Sequence, residues 1–323
     1  MAGVLVFGEA VAGILTPASL EAATAGAELA AAVGQPLSGG LIGRNIGDAV
    51  AAFLGGGMST LYIVDDLQFE PYIGERYAGA ATAVIEHVAP SVVLFPHSLN
   101  TREWGSQLAA RLQTHLVTDC VRLDVDGADV VLTKPIYGGG ILAEYVVAST
   151  PVMATLRPGA FAASTPGAQG HIVPLDIPFI PARVTVLDET IDEPPSGPTL
   201  RDAKIVVSGG LGVGGRENWR LIEDVAEALG AAVGATRAVT DLGWAPASQQ
   251  VGLTGASVAP DLYIAIGISG AVQHLAGIGR AKTVVAINRD PEAPIFTRAR
   301  YGAIGDAREI VPAFVERLRE LRA

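Results

Sequence analysis

The chain has 323 residues, half of them apolar and 17% charged, with a formal net charge of −11 and a sequence pI near 4.9. That length allows two domains with filled cores, and the acid excess without any Lys/Arg-rich tract argues against nucleic acid as a partner. Mean hydropathy is +0.39, but the surplus lies in short Ala, Val, Leu and Ile runs, none as long as a bilayer-spanning helix, so the composition is that of an α/β protein. The single cysteine, Cys120, excludes an intrachain disulfide and fits a reducing cytoplasm, where it is expected as a small core residue. The histidines at 87, 97, 115, 171 and 274 show no ligand spacing, so no metal is expected.

A strand is expected at 3–7, with no basic leader or cleavage site before it. An Ala-rich helix at 18–33, a strand at 61–65, a helix at 77–87 and a strand at 92–96 follow, then a helix at 101–113 capped by Asn100 or Thr101. This alternation is doubly wound. From 119 to 161 the runs 120–125, 129–133, 144–149 and 152–156 are short, β-like and separated by Gly and Asp; they read as partly antiparallel strands added to the sheet edge. The segment 181–198, rich in Pro and acids, cannot be a regular helix and reads as a linker. The expected division is an N-terminal α/β domain at 1–184, a linker at 185–199 and a second domain at 200–323, each domain a mostly parallel sheet flanked by helices.

The second domain opens with a buried strand at 204–208 and a glycine-rich turn in which Gly210, Gly212 and Gly215 satisfy GxGxxG, followed by a helix at 217–229. Taken alone this pattern points to a nicotinamide dinucleotide fold and an NAD-dependent dehydrogenase. Such a fold needs an acid at the end of its second strand to hold the ribose hydroxyls, whereas the strand at 231–234 runs into Ala235, Thr236 and Arg237. A cation stands where an acid is required. Further on, 262–266 is a short apolar strand broken by Gly267, Ser269 and Gly270; a helical stretch at 271–278 and a strand at 283–287 ending in Asn288 complete a right-handed βαβ unit. Its turn leaves backbone N–H groups at the helix start, where an anion or a ring gathering negative charge can sit, and Gln273 and His274 stand beside them. On residue type alone Arg237 reads as a solvated ion pair, Thr254 and Asn288 as turn formers, and Asp306 as the N-cap of a final helix at 307–321.

The string 262–288, LYIAIGISGAVQHLAGIGRAKTVVAIN, resembles the signature of the electron transfer flavoprotein α subunit at nearly every position. The strand–SGG–helix run, Gly234-Ala235-Thr236-Arg237 (GASR in the family) and Val251-Gly252-Leu253-Thr254-Gly255 (VGQTG) match it too, as do, more loosely, Ala110–Leu116, KPIYGGG from Lys134 and LRPGAF from Leu156. Two positions depart: Leu211 stands for an Arg and Leu253 for a Gln, each removing polar atoms near the expected cofactor. The resemblance implies a flavin-binding doubly wound second domain holding FAD, contacted by Leu211, Thr236, Arg237, Val251, Gly252, Leu253, Thr254, Ser269, Gly270, Ala271, Val272, Gln273, His274, Asn288, Asp306 and Ala307. Arg237 is expected over the ring, Thr254 at its N5 edge, His274 donating to the C2 carbonyl, and Asp306 near the adenosine. A cation or donor at the ring raises its potential, because negative charge gathers there on reduction. The implied protein is a redox carrier rather than an enzyme with its own metabolite: it pairs with a β subunit, takes electrons from flavoprotein dehydrogenases and hands them to a quinone reductase or another acceptor. A diverged paralogue with an impaired flavin site is the remaining alternative.

Overall fold

A computed structural model of the chain describes residues 3–139, 141–163, 170–189, 198–200 and 203–322. It divides into two compact units, Met1–Thr190 and Ile191–Ala323. Residues 190–197 of the expected linker lie outside the described residues.

The first unit runs β1 (Val4–Gly8), a small hairpin of β2 (Ala10–Val11) and β3 (Ile14–Leu15), α1 (Pro17–Val33), β4 (Leu37–Gly43), α2 (Gly47–Leu54), β5 (Thr60–Asp65), α3 (Gly74–Val88), β6 (Val92–Pro96), α4 (Leu99–Arg111), β7 (Leu116–Cys120), β8 (Arg122–Asp126), β9 (Asp129–Ile136), β10 (Ile141–Val146), β11 (Val152–Leu156) and β12 (His171–Pro174). Seven strands form one parallel sheet in the order β12-β5-β4-β1-β6-β11-β7. Its two faces follow from the strand period of two. Val4, Val6 and Leu94 pack on one side with α1, while Leu5, Phe7, Val93 and Phe95 pack on the other with Trp104. The Phe7 and Phe95 rings stack at 5.5 Å, and Trp104 meets both edge-on.

Two expectations for this unit are corrected, and several elements are new. Strands β8, β9 and β10 form a separate antiparallel sheet, whereas β7 and β11 join the main sheet in parallel. The reason is visible in burial: β11 is buried along nearly its whole length, as a central strand must be, whereas β8 alternates exposed and half-buried residues and can cover only one face. The cap of α4 is Ser98, not Asn100 or Thr101: its Oγ accepts the Thr101 N–H at 3.0 Å, and Thr101 Oγ1 accepts the Ser98 N–H at 3.0 Å. The β2–β3 hairpin, strands β4, β7 and β12 and helix α2 were not anticipated. In β4 the glycines that hide the strand signal leave room for neighbours, since a Cβ on Gly40 would come within 2.7 Å of the Phe7 ring. Cys120 is buried as expected, and burial pushes its thiol up to about 12.

The second unit runs β13 (Ile205–Gly209), α5 (Arg220–Leu229), β14 (Ala232–Ala235), α6 (Arg237–Asp241), β15 (Leu262–Ile266), α7 (Val272–Gly277), β16 (Thr283–Asn288), β17 (Tyr301–Ile304) and α8 (Ala307–Arg322). Its five strands are all parallel in the order β14-β13-β15-β16-β17. Val207, Ile264, Ile266 and Ile287 face α5 and α8, through Ile222, Val225 and Val311. Val206, Tyr263, Ala265 and Ala286 face the other side, where Leu275 of α7 and Ile278 lie. Both units are thus α/β with a parallel sheet flanked by helices, and the second is a three-layer doubly wound domain. The strand order reverses direction between β13 and β15, and an open α/β sheet binds its ligand at the carboxyl ends of the strands beside that point. No helix among the described residues is long and apolar enough to cross a membrane.

Candidate cofactor site at the carboxyl edge of the second sheet

The loops that leave β13 and β15 meet at the switch point through their backbones. Gly210 N–H donates to Ile266 O at 2.9 Å and Gly212 N–H to Gly267 O at 2.9 Å, while Gly267 donates onward to Ile287 O at 2.8 Å. A Cβ on Gly212 would stand 2.7 Å from the Gly267 carbonyl oxygen, and Gly267 itself sits at φ +64. In a dinucleotide fold the second glycine of GxGxxG lets a pyrophosphate approach. Here what closes on Gly212 is the neighbouring turn, and the strand that should end in an acid runs into Thr236 and Arg237 at the start of α6.

From β14 a hydrogen-bond chain crosses the edge of the site. Thr240 Oγ1 donates to the Arg237 carbonyl at 2.9 Å and contacts Gln250 Oε1 at 3.0 Å, and Gln250 Nε2 donates to Thr254 Oγ1 at 2.9 Å. The Thr254 hydroxyl therefore accepts from within the protein and keeps its own O–H to donate outward. Arg237 is exposed, with Nε 3.4 Å from Asp241 Oδ2 one helical turn on. Such an exposed pair holds weakly, so the guanidinium is available to a ligand at little cost.

The loop carrying Thr254 is held against α7. Val251 N–H donates to Ala235 O at 2.9 Å, Gly252 N–H to Ala256 O at 3.1 Å, and Leu253 N–H to Gln273 O at 2.8 Å. Gly277 abuts this loop so closely that a Cβ there would be 2.5 Å from Gly252 Cα. Ser269, Ala271, Val272 and Gln273 are exposed along the turn, and Gly270, at φ +86, is wedged against the Ile295 backbone. Leu211, Leu253 and Val272 are exposed by 47%, 65% and 68%. Large apolar side chains left open beside hydroxyl, amide and guanidinium groups fit a ligand with a flat apolar ring and a polar rim.

His274 lies at the inner side of this edge. Its ring is 6% exposed, with Nε2 2.9 Å from the Tyr263 hydroxyl and Nδ1 3.1 Å from the Val251 carbonyl oxygen, so both nitrogens are taken inside the domain. Burial pushes its pKa down to about 4. Asn288 is likewise engaged in shaping the turn: Nδ2 donates to Ile268 O at 2.8 Å and Oδ1 accepts the Asp290 N–H at 3.0 Å. Asp306 caps α8, accepting the Arg308 N–H at 2.9 Å, and the Arg308 guanidinium across both carboxylate oxygens holds its pKa far below the ordinary carboxylate value. Asp306 and the buried Ala307 follow β17, two strands from β15. The structure thus links Thr236, Arg237, Val251–Thr254 and Ser269–His274 into one connected edge, and places Asn288, Asp306 and Ala307 further along the same carboxyl side. Thr240, Gln250 and Tyr263 were not singled out in the sequence, because a helix threonine, a loop glutamine and a strand tyrosine carry no motif of their own.

A parallel sheet whose switch-point loops carry an open, part-apolar ledge with outward donors defines a cofactor-binding α/β protein. Two family profiles match the chain: "Electron transfer flavoprotein domain" over residues 4–178 and "Electron transfer flavoprotein FAD-binding domain" over residues 199–279. The chain is 38% identical over 320 residues to the electron transfer flavoprotein subunit alpha of Bacillus subtilis, covering 98% of each chain. It is 37% identical over 287 residues to the subunit alpha of Thermoanaerobacterium thermosaccharolyticum, covering 87% of each, and 34% identical over 325 residues to the protein FixB of Clostridium saccharobutylicum, covering 99% of this chain and 97% of that one. The chain belongs to the electron transfer flavoprotein α-subunit family. Its cofactor is FAD, its role is electron transfer, and membership implies a heterodimer with a β subunit.

Proposed function

We propose that this chain holds the FAD of a two-subunit carrier that accepts electrons from flavoprotein dehydrogenases, such as those acting on acyl-CoA, and passes them to a quinone reductase or another acceptor in the cytoplasm. FAD supplies the redox chemistry when bound. The protein's own residues bind and orient it and set the charge around its ring. Arg237 would offer a weakly tethered cation to the bound ring, and the Thr254 hydroxyl, which accepts from Gln250, would keep its own O–H to donate to it. Ser269, Gly270, Ala271, Val272 and Gln273 form the turn that approaches the cofactor, Thr236, Val251, Gly252 and Asn288 shape its walls, and Asp306 and Ala307 lie towards the adenosine. Leu211 and Leu253 offer apolar contact where polar groups are usual in the family, which lowers the stabilisation of added negative charge. The domain boundaries of this reading are 1–184 and 200–323, joined by 185–199.

The observation that supports the reading is the Thr240–Gln250–Thr254 chain, which ties the loop bearing the Thr254 hydroxyl to the Arg237 backbone carbonyl at the start of α6. The test is co-expression with the β subunit, followed by an absorption spectrum, a flavin count and reduction by an acyl-CoA dehydrogenase with its substrate. A yellow heterodimer reduced by the dehydrogenase is expected. Colourless protein that cannot be reconstituted with FAD beside its β subunit favours the impaired paralogue, and retention of NAD without flavin favours the dehydrogenase.

A further inference from the structure

The hairpin of β9 and β10 in the first unit carries an apolar surface and a cation for which the cofactor site has no use. β10 is the outer strand of its sheet, and among the described residues no strand pairs along its other side. Open edges are normally guarded by lysine, proline or an inward charge. β10 reads Ile-Leu-Ala-Glu-Tyr-Val, and its one charge, Glu144, is answered by Arg122 at 2.8 Å. Ile141 and Tyr145 are exposed by 53% and 41% on one face of the strand, and Leu142 and Val146 by 58% and 55% on the other.

The strand register places the cation within this surface. Lys134 of β9 pairs with Ala143, so it shares a face with Ile141 and Tyr145, the residues on either side of its partner. Its ammonium is half-buried and donates to Thr118 Oγ1 at 3.2 Å, and among the described residues it pairs with no carboxylate. Asp119 feels the Lys134 charge but is already committed: Arg157 Nε donates to Oδ1 at 2.8 Å and Nη2 to Oδ2 at 2.5 Å. A hydroxyl does not replace the water that a half-buried ammonium gives up. The surface therefore gains from a carboxylate that arrives with apolar neighbours.

An apolar edge strand left in water invites non-specific pairing, so its cover has to be permanent. Permanent interfaces are also the more apolar ones. Both points favour a resident subunit over a dehydrogenase that must come and go. We propose that β10 and Lys134 form part of the contact with the β subunit, which sets an Asp or Glu carboxylate against the Lys134 ammonium and apolar side chains over Ile141, Leu142, Tyr145 and Val146. The inference rests on the heterodimer that family membership implies, and it is independent of how the flavin is held.

The test uses the heterodimer co-expressed with its β subunit. A water-soluble carbodiimide joins a lysine to a carboxylate in direct contact, and mass spectrometry of the digest should find Lys134 joined to an Asp or Glu of the β subunit. Linkage of Lys134 to a second copy of this chain, or to no carboxylate of the β subunit, overturns the proposal. Subunit association is then measured by sedimentation for the wild type, Lys134→Met, Lys134→Glu and Leu142→Ser. Lys282→Met serves as the control, since Lys282 is an exposed lysine of the second unit, 2.7 Å from Asp261. Lys134→Met and Leu142→Ser should each weaken association about tenfold. Lys134→Glu should weaken it about a hundredfold, because like charges then meet, and Lys282→Met should leave it unchanged. Added salt should weaken the wild type more than Lys134→Met. Wild-type association in Lys134→Glu, or an equal loss in Lys282→Met, refutes the assignment. Should Lys134→Glu fail to fold, Lys134→Met, which keeps the apolar stem, and the wild-type linkage decide the matter. A colourless heterodimer that shows the linkage removes the flavin reading and leaves this one standing, and a yellow heterodimer without the linkage does the reverse.

Discussion

His274 makes the second unit sensitive to acid, and the size of the effect follows from its burial. Its pKa lies at about 4 in the folded chain against an ordinary 6.5, because burial penalises the charged ring. The unfolded chain therefore binds the proton more tightly. The contribution is fully present above about pH 6.5, is lost progressively as pH falls towards 4, and is constant below that. Protonation of the unfolded chain thereby lowers the stability of this unit by about 2.5 kcal/mol between about pH 7 and about pH 4.5. That is a large share of the stability of a small domain. Urea denaturation in a Trp104→Phe background, where Trp219 and Trp244 report the second unit, reads the effect directly. Surface carboxylates also lose their partners in acid, so the comparison is with His274→Gln, which keeps an amide donor for Val251 O and has no ring to titrate. Wild type should lose about 2.5 kcal/mol more than the variant over this interval. Parallel pH profiles for the two would refute the reasoning, since they would mean that the ring is not buried as a neutral group.

Arg237→Ala removes an exposed cation, and should lower the potential for the first electron on the bound flavin by on the order of 50 mV, about 1 kcal/mol, in a spectrally monitored reductive titration. Gly277→Ala places a Cβ 2.5 Å from Gly252 Cα, so the 251–254 loop must shift; a loss of about 1–3 kcal/mol in denaturation and faster FAD release are expected. Ser98→Ala removes the capping box of α4 and should cost the first unit about 1 kcal/mol, read from the urea midpoint of Trp104 fluorescence with Trp219 and Trp244 replaced.

The βαβ unit at the heart of the second domain was legible because its signals agree: a short apolar strand, a small-residue turn and a strand ending in a polar residue. β15 spans the expected residues, and the helix and second strand differ by a residue at their ends. Less was legible where a tertiary contact overrides a local signal. Gly39 and Gly40 weaken the pattern of β4, yet Met58 and Phe7 fill the space their missing side chains leave. Around β8–β10 local β character was readable, but which strands pair depends on burial across the sheet, and no short window carries that. At the site, the motif residues fall together along one edge, whereas the direction in which His274 points depended on Tyr263, eleven positions earlier on a buried strand. A residue type and its position do not reveal which of its atoms are already spoken for.

The meshed turns at Gly210, Gly212 and Gly267 bear on how pattern-based inference treats glycine. Small residues recur at 210 and 212, on either side of Leu211, because one stretch of main chain rests on another, and no guest molecule is needed to account for them. A saturation-mutagenesis screen of this turn should therefore show intolerance at 210 and 212 and permissiveness at 211, a sawtooth set by interior steric contact alone. Fingerprints built to detect nucleotide pockets will flag such a turn, and only the residue ending the next strand tells the two cases apart.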